Sequence, residues 1–256
     1  MSIPTSHAHA TFCWVDLITK DAASAKAFYG GLFGWTFQDL PDGGQSMGYL
    51  GDQPVAALVP VPSMPSYWNN YVAVDDVDAA VKRADGAGGK LIQPPFDIAD
   101  LGRAAVVVDP AGAPLCFWQA GKHAGTGAIG EAGALTWNEL YTPDPILAGR
   151  FYAEVLGWRL DRTEVPGIEG TYTRFELGSA RGTQKVGGMR KMPAHMHGAP
   201  SHWLCYFAVA DLDATLARAT ELGGRVAAAP IGVAGLGRVA IVQDPHDAPF
   251  AVLEKA

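Results

Sequence analysis

Two carboxylates hold the same place in two similar strings, Asp16 in 14-WVDLI-18 and Glu139 in 137-WNELY-141. Both sit among aromatic and aliphatic residues. A carboxyl group in such company loses hydration, its pKa rises, and it can act as a general acid or base. The same position also suits one ligand of a metal ion, or a solvated group at the mouth of a cleft. A second candidate is 195-HMHGAPSH-202, where His195, His197 and His202 have a spacing that can gather three imidazoles around one ion. That run is rich in Pro and Gly, as solvated loops are. Cys116 is the one thiol that strand alternation turns toward the face carrying these groups. No histidine stands near it in the pattern, so an inert small residue is the simpler reading. Gly125-Thr-Gly127-Ala-Ile-Gly130 spells a dinucleotide fingerprint. It leads into the strand-like 134-ALTWNELY-141 instead of a helix that would face a pyrophosphate, and so reads as a connector.

The elements that position these groups come from a repeat. Residues 12–37 align with 135–160, nine of 26 positions being identical, among them Trp14/Trp137, Phe28-Tyr29/Phe151-Tyr152 and Gly34-Trp35/Gly157-Trp158. Residues 68–118 align with 203–253, with 22 of 51 identical, including Trp68/Trp203, Tyr71/Tyr206 and Asp109-Pro110/Asp244-Pro245. Chance would give roughly one match in ten, so the chain is a duplication. The offset grows from 123 to 135, which places about twelve inserted residues between Trp158 and Trp203. Each half alternates periods in one order. A strand at 12–18 precedes a helix with Ala25, Phe28, Tyr29, Leu32 and Phe33 on its buried face, closed by Gly34. Three short strands follow, and the order recurs from the strand at 69–74 and the helix after Asp76. The reading is α+β: four βαβββ modules, two per half. One helix per three or four strands covers one face of a sheet and leaves the other free to curl into a cup.

The boundaries that follow are a disordered tail at 1–10, a first domain at 11–119, a Gly-rich linker at 120–133 and a second domain at 134–256. The chain has 256 residues, 26 Asp and Glu against 19 Lys and Arg, and a net charge of −7. Without a dense basic surface it is a poor partner for nucleic acid or an anionic membrane. Apolar residues make up 48% of it, enough for a large core, and no run is long enough to span a bilayer. The first ten residues lack the basic start and apolar centre of a signal peptide. Three cysteines with no Cys-x-x-Cys pair suit reduced thiols, so a cytoplasmic protein, monomeric or homodimeric, is expected.

The strings 28-FYGGLFGW-35 and 151-FYAEVLGW-158, with Val-Asp-Asp-Val-Asp-Ala-Ala at 74–80 and Asp-Pro-x-Gly at 109–112, resemble the vicinal oxygen chelate superfamily. That group holds glyoxalase I, extradiol dioxygenases, fosfomycin-resistance enzymes and bleomycin-binding proteins. The resemblance runs from about residue 11 to 255, and implies two tandem half-barrel domains. The pairing of W-V-D-L with W-N-E-L further resembles actinobacterial glyoxalase-like proteins, including a mycobacterial culture-filtrate antigen and members of polyketide-antibiotic pathways. The family's metal ligands are a His on the first strand, a His on the second module's first strand and a Glu on the last strand. Those slots fall on Trp14, Asn69 and Cys116 in the first half, and on Trp137, Leu204 and Ala251 in the second. Such a set lacks the donors a divalent ion needs, so no metal site and no cofactor are expected.

Alternation then assigns the cup faces. Trp14, Asp16, Asn69, Tyr71, Cys116 and Trp118 face the first cup. Trp137, Glu139, Tyr141, His202 and Tyr206 face the second. Aromatic area around one carboxylate suits a small, largely apolar, aromatic or carbonyl-bearing molecule; the same aromatics could also simply fill the sheet's core. The leading expectation is a binding protein, or an enzyme using acid–base chemistry at Asp16 or Glu139. Its rivals are a metal-dependent lyase, dioxygenase or hydroxylase with a rearranged ligand set from Glu139, Asp16 or His202, and a non-catalytic interaction protein.

Overall fold

Among the described residues, four aspartates start the four α-helices. Asp21, Asp76, Asp144 and Asp211 each accept a backbone N–H from the first turn of the helix that follows, which satisfies donors the helix cannot pair itself. Gly34 and Gly157 end the first and third helices at φ of +74° and +70°, a conformation that favours glycine. The computed structural model describes residues 6–41, 44–166, 170–179, 182–196 and 198–256.

The first half runs β1 (Phe12–Thr19), α1 (Ala22–Phe33), β2 (Thr36–Asp39), β3 (Ser46–Leu50), β4 (Gln53–Pro60), β5 (Tyr67–Ala73), α2 (Val77–Gly86), β6 (Lys90–Ile98), β7 (Gly102–Val108) and β8 (Pro114–Ala120). The second half repeats the order with β9 (Leu135–Thr142), α3 (Pro145–Leu156), β10 (Arg159–Glu164), β11 (Thr171–Ser179), β12 (Gly182–Lys191), β13 (His202–Val209), α4 (Leu212–Glu221), β14 (Arg225–Val233), β15 (Gly237–Gln243) and β16 (Pro249–Lys255). The expected βαβββ order thus occurs four times. Among the described residues each half forms one eight-stranded mixed sheet, β2-β3-β4-β1-β5-β8-β7-β6 and its counterpart β10-β11-β12-β9-β13-β16-β15-β14. Modules join inside a half through the antiparallel pairs β1–β5 and β9–β13.

The cups belong to the halves, but the cores are shared between them. One apolar cluster joins Leu17, Phe28, Tyr29 and Trp68 to Phe207, Leu212 and Phe250. The other joins Val77, Leu115 and Phe117 to Phe151, Tyr152, Trp158 and Trp203. The repeated signature residues supply the polar ties across this seam. Tyr152 donates to Asp109 Oδ2 at 2.9 Å and accepts from Trp203 Nε1 at 2.9 Å. In mirror fashion Tyr29 donates to Asp244 Oδ2 at 3.2 Å and accepts from Trp68 Nε1 at 3.2 Å. At the centre Asn138 Nδ2 donates to Asn70 Oδ1 at 2.7 Å. Buried polar groups need such partners, and these specify how the halves dock. Arg103 of β7 is held by Asp78 of α2 and Asp97 of β6, and Arg238 of β15 by Asp213 of α4 and Glu254 of β16, so each ties its strand to a helix and to a neighbouring strand.

The Gly-rich run 120–133 is bonded to both halves. In the second, Gly133 N–H donates to Ala208 O and Lys255 Nζ to Gly130 O. In the first, His123 N–H donates to Leu101 O, Thr126 N–H to Cys13 O and Gly127 N–H to Pro54 O. His7 joins it through Thr126 O at 3.0 Å. No helix among the described residues is long and apolar enough to cross a membrane.

Candidate functional site

Sheet register writes the second cup as rows of side chains. One row crosses β11, β12, β9 and β13 as Tyr172, Arg190, Tyr141 and His202. The next reads Arg174, Gly188, Glu139 and Leu204. The third pairs Trp137 with Tyr206, and continues to Ala251 and Ile241. Alternation keeps all three rows on the face opposite the helices.

Glu139 lies at the middle of this grid, 4% exposed. Tyr172 donates to its Oε2 at 2.8 Å and Tyr206 to its Oε1 at 3.0 Å, while Trp137 Nε1 donates to the Tyr172 hydroxyl at 3.1 Å. Both carboxylate oxygens are therefore acceptors. Burial pushes the Glu139 carboxyl above its ordinary value, and the Tyr172 hydroxyl, the Arg190 charge and the Tyr141 and Tyr206 hydroxyls oppose that rise. Tyr172 and Tyr206 are in turn pushed well up, first by burial and then by the charge on Glu139. Such a carboxylate, desolvated but hydrogen-bonded, is suited to taking and returning a proton.

The face opens on a cavity of about 370 Å³, the size of a small-molecule pocket. Trp137, Glu139, Tyr141, Tyr172, Arg174, Lys185, Arg190 and Tyr206 form its polar side. Val165, Met196, Ala228, Ile231, Val233, Leu236, Val239 and Ile241 form the apolar side. Four of the residues expected at the second cup, Trp137, Glu139, Tyr141 and Tyr206, line this cavity. His202 stacks on Tyr141 with ring centroids 5.3 Å apart, and its Nδ1 is bonded to Pro200 O. His197 lies outside the described residues.

The first cup is packed by its own side chains. Trp14, Trp118, Ala57 and Ala104 cluster with Met47, Tyr71, Ile98 and Leu101. The His123 ring closes over them, 4.4 Å from the Trp14 ring and 5.9 Å from that of Trp118, and Trp118 Nε1 donates to His123 O. Beneath, Asp16 accepts from Asn69 Nδ2 at 2.8 Å and from the Tyr71 hydroxyl. Burial pushes its carboxyl up to about 6, against those two hydrogen bonds. Cys116 pairs with Tyr71 in the sheet, and burial raises its thiol far above the ordinary value, which leaves it unreactive. Asp16, Asn69, Tyr71, Cys116, Trp14 and Trp118 are thus brought together, but under a cover.

Sequence reasoning missed Tyr172 and Arg190. Both lie between Trp158 and Trp203, where the halves lose their common offset. Alternation around buried Phe175 places Tyr172 on the opposite, cup-facing side only if the register with β12 is known.

The metal slots of the fold can be tested on these donors. Trp137, Leu204 and Ala251 offer no lone pair, and in the first cup Asn69 is committed to Asp16 while the Cys116 thiol is held protonated. A rearranged set cannot combine the carboxylates, because Asp16 and Glu139 belong to different sheets. No group of three or more His, Cys, Asp or Glu among the described residues could hold an ion. These residues do not fit the metal of the fold.

Tandem βαβββ modules with cupped sheets define the class, and the chain belongs to the Glyoxalase/Bleomycin resistance protein/Dioxygenase superfamily: residues 9–117 match it, and residues 137–253 match a glyoxalase-like domain. The similarity extends over the whole chain in CFP32 of Mycobacterium tuberculosis, 44% identical over 252 residues, which is 95% of this chain and 94% of that protein. The anthracycline biosynthesis protein DnrV of Streptomyces peucetius is 37% identical over 261 residues, 94% of this chain and 92% of that protein. Among solved structures, the 2,3-dioxygenase LapB from Pseudomonas sp. KL28 superimposes with a TM-score of 0.68 at 13% identity, covering 99% of this chain and 94% of that one. The Mn(II)-bound glyoxalase from Novosphingobium aromaticivorans gives 0.66 at 15% identity, covering 96% and 82%. These two likenesses concern the fold alone.

Proposed function

We propose that the second cup binds a planar, largely apolar, carbonyl-bearing metabolite and moves protons on it through Glu139 and Tyr172. The observation that carries this reading is a buried carboxylate held by two tyrosine hydroxyls in the wall of a 370 Å³ cavity. The relation to an anthracycline biosynthesis protein points to aromatic polyketides as the substrate class. In this reading Glu139 removes a proton from the carbon beside the substrate carbonyl. Once neutral it no longer needs the Tyr172 hydroxyl, which turns to donate to the enolate oxygen. Reprotonation from Glu139 restores the site. The first cup serves as scaffold. A reducing compartment is part of the same proposal, supported by three buried, unpaired cysteines.

The test uses β-tetralone, a bicyclic apolar ketone, in heavy water. The protein should speed deuterium exchange at the carbon beside the carbonyl, and Glu139→Gln should lose that acceleration by about 10²-fold or more. Equal exchange with Glu139→Gln would contradict the proposal.

A further inference from the structure

The chain is acidic, yet the charged side chains around the second cavity are Arg174, Lys185, Arg190 and one carboxylate, Glu139. Two of the three cations are accounted for. Arg174 pairs with Asp161 at 2.8 Å, and Lys185 stands exposed at the rim. Arg190 is different. It is half-buried, its guanidinium carbon stands 5.4 Å from the centre of the Tyr141 ring, and its Nε is enclosed without a hydrogen-bond partner. Among the described residues no carboxylate lies within salt-bridge range of it. Glu139 is close enough to feel its charge, but both Glu139 oxygens are taken by Tyr172 and Tyr206.

A guanidinium carries five donors in a planar fork, and here Nε is buried without a partner and no carboxylate is paired with the charge, which is costly at a half-buried position. The apolar residues that share the cavity, among them Ile231, Val239 and Ile241, offer it nothing. We infer that the molecule held in the second cup is an acid, an apolar planar body whose carboxylate docks on Arg190. This rests on the reading of that cup as a site for planar apolar molecules. A neutral carbonyl would meet one donor; a carboxylate meets the fork with two parallel hydrogen bonds and cancels its charge.

Naphthoate and naphthamide, of equal size and differing in the charged group, make the probe pair. Calorimetric titration of the intact protein should show naphthoate binding about tenfold or more tightly than naphthamide, as expected for a charge-assisted hydrogen bond. Arg190→Gln should erase that preference and Arg190→Lys retain part of it. Circular dichroism checks both variants, and the wild-type comparison stands whether or not they fold. Equal binding of the two probes by the wild type overturns the inference and leaves the cup as a neutral-ligand site. Failure of both to bind overturns the inference together with the reading on which it rests.

Discussion

The hydroxyl of Tyr172 occupies the space in front of Gly188: a Cβ added there would stand 1.9 Å from the Tyr172 oxygen and 3.1 Å from Trp137 Nε1. The glycine is what lets a tyrosine from β11 reach across β12 to Glu139. In the first half Ala57 holds the corresponding place beside Asp16, and no tyrosine crosses it.

Gly188→Ala should therefore displace Tyr172 while leaving the sheet paired. The expected cost is about 1–3 kcal/mol of stability from overpacking. Removing the Tyr172 hydrogen bond, which lowers the Glu139 pKa, should raise that pKa further. NMR titration of the glutamate carboxyl, alongside urea denaturation, checks both. An unchanged Glu139 titration would mean that Tyr172 does not hold the carboxylate.

The seam between the halves is tied by Tyr152 to Asp109 and by Tyr29 to Asp244. Tyr152→Phe should leave Asp109 and Trp203 Nε1 short of a partner and destabilise by about 1–3 kcal/mol. Tyr29→Phe should act similarly. Because the two ties lie in separate clusters, the double variant should lose nearly the sum of the single losses. Urea midpoints read all three. A strong departure from additivity would show that the clusters act as one.

Asp16 makes a pH-dependent contribution of definite sign. Its folded carboxyl is pushed from the ordinary 3.8 to about 6, chiefly by burial. The folded protein thus binds that proton more tightly than the unfolded chain, and stability falls as pH rises from about 4 to about 6, by at most about 3 kcal/mol. His123, which burial lowers to about 4, acts oppositely: its contribution is lost as pH falls through the same window. Comparing Asp16→Asn with the wild type cancels the histidine. The advantage of Asp16→Asn in urea should grow across the window and stay level above it. A pH-independent difference would contradict the assignment.

Much of the fold was legible because the repeat fixes its own register. Phe28-Tyr29 and Gly34-Trp35 recur at 151–152 and 157–158, and alternation at Trp14, Val15, Asp16 and Leu17 separates cup face from helix face. Partners across the seam were not legible. Nothing local ties Tyr152 to Asp109, 43 residues earlier, since both are satisfied only when the halves dock. The two cups also looked alike in sequence. Their difference comes from His123, in a segment that composition alone marks as a connector, and from Tyr172 and Arg190, on strands that answer to β3 and β4 but lie where the halves lose their constant offset.

The working cup can be located by following indole N–H signals in NMR, assigned by single Trp→Phe variants, while naphthoate is added. Trp137, which lines the open cavity and donates to Tyr172, should shift with saturation, while Trp14 and Trp118, closed under His123, should stay in place. Movement of Trp14 and Trp118 with Trp137 unchanged would place binding in the first cup and contradict the assignment.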